Sequence, residues 1–321
     1  MKNSAIYYSV GALLYCPANR ESIVKSIIAE EFGNQFSLSL CLEDTISDAC
    51  VSEAEETLLK SLRAIYEAHK VQDFYLPHIF IRVRCPEQIQ TLTARLGDAV
   101  EILSGYIAPK FSLENADAYL TSIKNINVQY PKNKNIYLMP IFESPTIINL
   151  QNRYPILYEL KHKLDSIEEL ILNIRVGGND LCHMFGLRRH INESIHDIRP
   201  IDHILSDILT VFGTDYVVSG PVWEYYNGSG WETGLKNEIS QDLLCGFVGK
   251  TVIHPNQIKI VNDALRVPSY DLEDAKSILD WDNTSDKLVS GSVAKERMNE
   301  YKTHSNWALK TILMAECYGT Q

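Results

Sequence analysis

The sequence predicts an α/β fold of the (β/α)8 type, a TIM barrel, followed by a C-terminal helical lid segment. Three observations predict it: eight short apolar runs, longer helical stretches between them, and strongly polar residues directly after most of the runs. Short β-rich runs alternating with helical stretches are the pattern of parallel βα units. Eight such units over about 260 residues match the usual size of a closed barrel. An open doubly wound sheet produces a similar one-dimensional pattern. The residues just past the strands therefore carry the decision, because in a barrel they converge on one mouth.

In order, the candidate strands are Ala12–Tyr15, Phe36–Leu42, Ile79–Val83, Gly105–Ala108, Ile136–Met139, Leu170–Arg175, Tyr216–Val218 and Val248–Ile253. Between the second and third lies a helix in which Ala54, Leu58, Leu62 and Ile65 repeat along one face, with Ser52 and Glu55 at capping-box spacing. After about Val267 the pattern changes. Pro268-Ser269-Tyr270 leads into an acidic helical stretch, a polar loop Asp282–Asp286, and Gly291-Ser292 before a helix reaching toward Tyr318. The expected division is thus a catalytic barrel over residues 1–267 and a helical lid or oligomerisation segment over residues 268–321.

With 321 residues, 45% hydrophobic and 22% charged, the chain has ample material for a full core. A formal net charge of −11, with no Lys/Arg-rich stripe, argues against nucleic acid as a partner. The seven cysteines form neither a CxxC pair nor a zinc spacing, and their odd number fits reduced thiols in a cytoplasmic protein. No basic leader with an apolar core opens the chain, and no apolar stretch approaches the roughly 20 residues of a membrane span.

The residues after the strands are, in chain order, Glu43-Asp44, Arg82 and Arg84, Lys110, Glu143, Asp180, Trp223-Glu224 and His254. A carboxylate just beyond a buried strand must be solvated, paired or bound to a cation, because burying it alone is costly. Glu143 and Asp180 both stand in that position, and two such acids can share one ion. Without a His or Cys partner they favour a hard cation, and Mg2+ commonly takes one or two protein carboxylates. Helix N-capping is the plain alternative for both. Arg82 supplies a fork of donors suited to a substrate carboxylate. The Gly177-Gly178-Asn179-Asp180 turn permits close backbone approach, and amides at Gly178 and Asn179 can meet an anion at the following helix start. His254 has the near-neutral unperturbed pKa that a base needs, although a His-Pro step after a strand also serves structure.

These segments resemble the citrate lyase β-subunit-like, or HpcH/HpaI aldolase-like, C–C bond lyases, and the resemblance spans most of the chain. Leu13-Leu14-Tyr15-Cys16-Pro17-Ala18-Asn19-Arg20 is similar to that family's first strand, and Leu42-Glu43-Asp44 to its LED motif. Ile81-Arg82-Val83-Arg84 resembles the VRVN segment, Ala108-Pro109-Lys110 the PK step, Glu143-Ser144 the metal-binding ET, and Gly177-Gly178-Asn179-Asp180-Leu181 the GxxDL element. Gly249-Lys250 through Ile253-His254-Pro255-Asn256-Gln257 resembles the GKxxIHPxQ ending of the barrel. The nearest likeness is to the divergent TIM-barrel branch found in tellurite-resistance gene neighbourhoods.

The resemblance implies a retro-aldol or Claisen-type cleavage, or its reverse, on a small anionic keto or hydroxy acid, with Mg2+ held by Glu143 and Asp180. It implies Arg82 on the substrate carboxylate, Glu43 and Asp44 orienting it or holding waters on the metal, and Lys110 offsetting charge in the mouth or forming a structural ion pair. It also implies a homo-oligomer, a trimer being favoured, in which the C-terminal segment covers a mouth, often that of a neighbouring subunit. The family carries an acid there after a small-residue and Met step. Met298-Asn299-Glu300 occupies the approximate place, so Glu300 is the catalytic candidate if the register is shifted. Arg84 stands where the family usually has Asn, and an extra stretch with Asn152-Arg153-Tyr154 separates Glu143 from Asp180. A CoA-linked substrate therefore does not follow. The aromatic insert Trp223 to Trp231 is a candidate wall for a flat, nucleoside-like group. A non-catalytic or regulatory barrel subunit is the alternative from another class. A phosphoenolpyruvate-type transferase ranks lower because no GxxxxGK[ST] loop is present.

Overall fold

The computed structural model describes residues 2–130, 134–281 and 288–321. The predicted polar loop Asp282–Asp286 lies outside the described residues. Eight parallel strands form the barrel: β1 Ala12–Pro17, β2 Ser37–Cys41, β3 His78–Arg82, β4 Leu103–Ala108, β5 Tyr137–Phe142, β6 Ile174–Val176, β7 Val218–Ser219 and β8 Lys250–Val252. They pair in the order β7-β6-β5-β4-β3-β2-β1-β8. The ring closes between β7 and β8 through a parallel bridge from Gly220 to Lys250 and through Val248 N donating to Val218 O at 2.8 Å. Closure excludes the open doubly wound sheet.

The helices are α1 Ile23–Ile28, α2 Val51–His69, α3 Pro86–Leu96, α4 Ala116–Gln129, α5 Leu150–Asp165, α6 Gly178–Met184, α7 Arg199–Phe212, α8 Trp231–Cys245, α9 Asn256–Leu265, α10 Ser269–Leu279 and α11 Tyr301–Tyr318. The predicted apolar face of α2 is buried, but its predicted capping box is not made. A 3-10 turn over Asp48–Cys50 runs straight into the helix, so Ser52 falls inside the first turn. Glu55 instead accepts hydrogen bonds from Gln88 Nε2 at 2.7 Å and Arg95 Nη1 at 3.1 Å, tying α2 to α3.

Side chains alternate between the two faces of a strand. Leu13, Phe80, Ile107, Met139, Ile141 and Leu172 pack together inside the barrel, while the outward positions join the larger core under the helices. This alternation places the site. Phe80 and Arg82 lie two apart on β3, and Met139, Ile141 and Glu143 continue at the same spacing along and just past β5. On β6 the alternation breaks. Ile171 pairs with Leu138 and Arg175 with Ile141, so four steps on this strand match three on its neighbour. The extra residue is a bulge, which re-aims the side chains beyond it. Leu172 and Arg175 both face inward as a result.

The C-terminal segment has a small core of its own, Ala275, Ile278 and Ala308, and a hairpin of β9 Val289–Gly291 with β10 Met298–Glu300. Arg297 ties this hairpin to Asp271 at 2.6 Å and Asp274 at 2.8 Å. The far end of α11 returns to the barrel. Tyr318 donates from its hydroxyl to Tyr8 O, and a Cβ on Gly11 would meet the Tyr318 ring at 3.1 Å. Gly11 precedes β1, so this anchor is at the strand N-termini, opposite the mouth.

Candidate active site

At the C-terminal ends of the strands a cavity of about 320 Å³ is lined by Asp44, Arg82, Glu143, Arg175 and Asp180 among others. Its centre is Arg82, the last residue of β3. The guanidinium Nη2 lies 2.8 Å from Glu43 Oε2, 2.9 Å from Asp44 Oδ2 and 3.2 Å from Glu143 Oε1. Burial works against this charge, but Tyr15, Glu143 and Glu43 outweigh it and hold the arginine pKa above its ordinary value. The Arg82 Nε has no partner.

Lys110 follows β4 with φ of 48°, a left-handed conformation that is uncommon outside glycine. That turn aims its backbone N–H at Glu143 Oε1, 3.0 Å away. Its ammonium bonds Glu43 and lies 3.2 Å from Asp44 Oδ1. Burial opposes the Lys110 charge, and the bond to Glu43 more than restores it, so its pKa is raised. Burial pushes Glu43 up in spite of Arg82, whereas Asp44, against the effect of burial, is held low by its bond to Glu43 and by Arg82 and Lys110.

Glu143, only 3% exposed, is the most perturbed acid of the mouth. Burial pushes its pKa up to about 7, Arg82 pulls it down, and the charge of Asp180 raises it further. Neither Glu143 nor Asp180 caps a helix: the 3-10 turn after β5 is capped by Ser144, and Gly177 is the N-cap of α6, with Asp180 making no cap bond. Gly177 is pressed against the carboxylate, since a Cβ there would lie 2.0 Å from Glu143 Oε2. A Cβ on Gly178 would strike Ile195 at 2.5 Å and Pro221 at 2.8 Å. The double glycine is thus a packing requirement that brings the Asp180 turn onto Glu143.

The structure brings Glu43, Asp44, Arg82, Lys110, Glu143, Gly178, Asn179 and Asp180 to this one mouth. Two candidates stay outside it. His254 accepts from Asn256 N at 3.2 Å and stacks on Tyr226, with ring centroids 4.5 Å apart, and is not part of the cavity lining. Glu300 sits at the start of α11 and accepts from Thr303 at 3.0 Å. No described residue after Val267 lines the cavity.

The aromatic insert also differs from expectation. Trp223 and Trp231 are buried in the core and Tyr226 faces His254, while Tyr15 is the aromatic residue among those lining the cavity. Arg84 latches the loop after β2 by donating to Ile46 O at 3.0 Å, and Arg153 joins α5 to Asp207 of α7 at 2.7 Å. Sequence reasoning does not single out Tyr15, Arg175, Thr251 or Arg188 as site residues. A charged residue inside the apolar run Leu170–Val176 is the signal that points to Arg175.

Two carboxylates, one buried and one half-buried, fit a hard cation. Among the described residues no group of three or more His, Cys, Asp or Glu has metal-binding geometry. A Mg2+ site commonly takes only one or two protein carboxylates and keeps several waters. No helix is long and apolar enough to cross a membrane, among the residues described.

Comparison with known proteins adds the lineage. No curated protein sequence matches the chain. A citrate lyase from Burkholderia xenovorans superposes with a TM-score of 0.72 at 13% identity, over 97% of this chain and 93% of that one. The CitE protein of Mycobacterium tuberculosis, solved with magnesium, acetoacetate and coenzyme A, gives 0.60 at 17% identity over 97% and 99%. The citrate lyase β subunit of the same organism, with oxaloacetate and magnesium, gives 0.52 at 17% over 81% and 98%. At these identities the likeness speaks for the fold. The family model for C–C bond lyases of the TIM-barrel fold matches residues 4–320, and the chain belongs to that family.

Proposed function

We propose that the chain is a Mg2+-dependent lyase or condensing enzyme of the aldol or Claisen type, acting on a keto or hydroxy acid. The observation that carries this reading is a charge imbalance. Glu43, Asp44, Glu143 and Asp180 outnumber the cations Arg82, Lys110 and Arg175, and Asp180 has no ion-pair partner among the described residues, so a divalent ion between Glu143 and Asp180 would relieve both acids. Burial raises the Glu143 pKa to about 7 against the pull of Arg82, and the charge of Asp180 adds to the rise. Glu143 and Asp180 would hold the ion, and when bound it supplies the positive charge that stabilises an enolate as a C–C bond breaks or forms.

The chain's own residues do the rest. Arg82 offers its unpartnered Nε to a substrate carboxylate while Glu43 and Asp44 fix its plane. Lys110 holds Glu43 and Asp44 in place and uses its backbone N–H to fix one oxygen of Glu143. The ligands of the M. tuberculosis structures, oxaloacetate and acetoacetate among them, support a small carboxylate as substrate. Because the C-terminal segment is anchored away from its own mouth, Glu300 would reach a mouth only in a homo-oligomer, supplied by a neighbouring copy. A cytoplasmic location fits the free cysteines.

The test is titration of Mg2+ into wild type and into the double variant Glu143→Gln, Asp180→Asn. Loss of binding with the fold retained is expected, and an unchanged Mg2+ affinity would remove the metal from the mechanism.

A further inference from the structure

Arg175 is a buried cation of the mouth that the proposed chemistry leaves without a task. It is 1% exposed, lies on β6 and lines the mouth cavity. The bulge between Ile171 and Arg175 turns it inward, where its Nη2 donates to Thr251 Oγ1 at 2.6 Å. Its Nε and Nη1 have no hydrogen-bond partner. No carboxylate lies within ion-pair range of it among the described residues, in contrast to the other arginines of the cavity. Arg82 has Glu43, Asp44 and Glu143, and Arg188 has Glu224 at 3.2 Å. The Tyr15 hydroxyl also hydrogen-bonds the guanidinium, and the like-charged Arg82 lies nearby, so neither of the other groups that bear on Arg175 is an anion.

A buried guanidinium with no counter-charge is costly, and folds retain such groups where a ligand completes them. We propose that Arg175, together with the Thr251 hydroxyl, seats a second carboxylate of the substrate, so that the acid taken here is a dicarboxylate. The geometry suits it. The Thr251 oxygen already accepts from Arg175, so its own proton is free to donate to an oxyanion beside the two unpartnered guanidinium nitrogens. One end of the acid then lies toward Arg82 and the two metal-binding acids, and the other toward β6 and β8. The naming of the substrate rests on the lyase reading; the anion seat does not.

The experiment compares oxaloacetate with pyruvate, which share a keto acid end and differ in the second carboxylate. In saturating Mg2+, wild type should bind oxaloacetate at least about tenfold tighter than pyruvate, equivalent to about 1.4 kcal/mol. In Arg175→Met that ratio should fall toward one while pyruvate affinity stays within about twofold. A ratio near one in wild type, or an undiminished ratio in Arg175→Met, overturns the seat. If neither acid binds with Mg2+, the lyase reading fails instead. The thermal shift produced by oxaloacetate without metal then decides the seat: a shift confined to wild type supports it, and an equal shift or none overturns it. Melting of the ligand-free proteins guards against a folding artefact. Arg175→Met should melt no lower than wild type, and a clear loss of stability or failure to fold would make Arg175 a structural group.

Discussion

At the mouth Arg82 is shared by Glu43, Asp44 and Glu143, with Lys110 on the first two, whereas beside β8 Lys250, Arg189 and His196 meet Glu238, Asp242 and Asp202. There Lys250 Nζ lies 2.9 Å from Glu238 and 2.6 Å from Asp242, Arg189 Nε lies 3.2 Å from Glu238, and His196 Nε2 lies 2.8 Å from Asp242. Lys250, Glu238 and Asp242 are as buried as Arg82 and Glu143, yet none of them lines the mouth cavity. The difference lies in balance. The β8 set neutralises itself, with the Asp242 pKa pulled down by Lys250 and His196 against its burial. The mouth retains excess negative charge, and Glu143 is pushed up. Self-matched charge is what holding two elements together requires, and unmatched charge marks where something else is expected to bind.

Breaking the balanced set should cost the most. Lys250→Met removes the cation between Glu238 and Asp242 and leaves both buried, which should lower unfolding free energy by about 3–5 kcal/mol in denaturant titration. A loss below about 1 kcal/mol would mean that the two acids find protons or water instead. The same kind of neutralisation at the mouth should go the other way. Glu143→Gln removes an unfavourable buried charge, so the metal-free protein should unfold no more easily than wild type, while Mg2+ affinity drops by about a hundredfold, roughly 2.7 kcal/mol. Calorimetry and melting on one preparation read both effects, and joint loss of stability and binding would place Glu143 with the structural charges. A smaller change is expected from Arg82→Lys, which keeps the charge but loses the planar fork. Oxaloacetate binding at saturating Mg2+ should weaken roughly tenfold, and equal affinities would leave Arg82 a structural ion pair alone.

Much of the mouth was legible because strand alternation and chain position suffice for it. Glu43, Arg82, Glu143 and Asp180 each stand at or just beyond a strand end, and in a closed barrel those ends share one face. Strand bounds shifted by a few residues without consequence, as at β5, where the run read as Ile136–Met139 extends to Phe142. Larger differences arose where local rules were overridden. The β6 run begins as a 3-10 turn over Glu168–Leu170, and the bulge after it reverses the facing of Arg175, which no two-residue period encodes. Trp223 read as part of a wall of the mouth, but it packs against the buried Arg189 guanidinium at 5.3 Å, a contact that local sequence does not encode. The place of α11 likewise depends on Tyr318 meeting Gly11, at opposite ends of the sequence.

The balanced and unbalanced sets should also separate by pH. Glu143 has a folded pKa of about 7 against an ordinary value of 4.5, so the folded state binds this proton more tightly than the unfolded chain. Its protonation therefore stabilises the metal-free protein below about pH 4.5, and that contribution is lost as pH rises through about 7. His196, raised by Asp242 in spite of burial, has the same sign: its contribution is full below its ordinary 6.5 and is lost as pH rises through its higher folded pKa. Mg2+ should separate the two. The ion requires the ionised Glu143, so its apparent affinity should fall about tenfold for each pH unit below about 7 and level off above it. Saturating Mg2+ should therefore cancel the Glu143 part of the decline in melting temperature and leave the His196 part. Melts across about pH 5–9, with and without Mg2+, on wild type and Glu143→Gln, measure this directly. A Mg2+ affinity independent of pH through 7 would mean that Glu143 is already ionised in the free protein, and the charge imbalance at the mouth would have to be relieved at Glu43 instead.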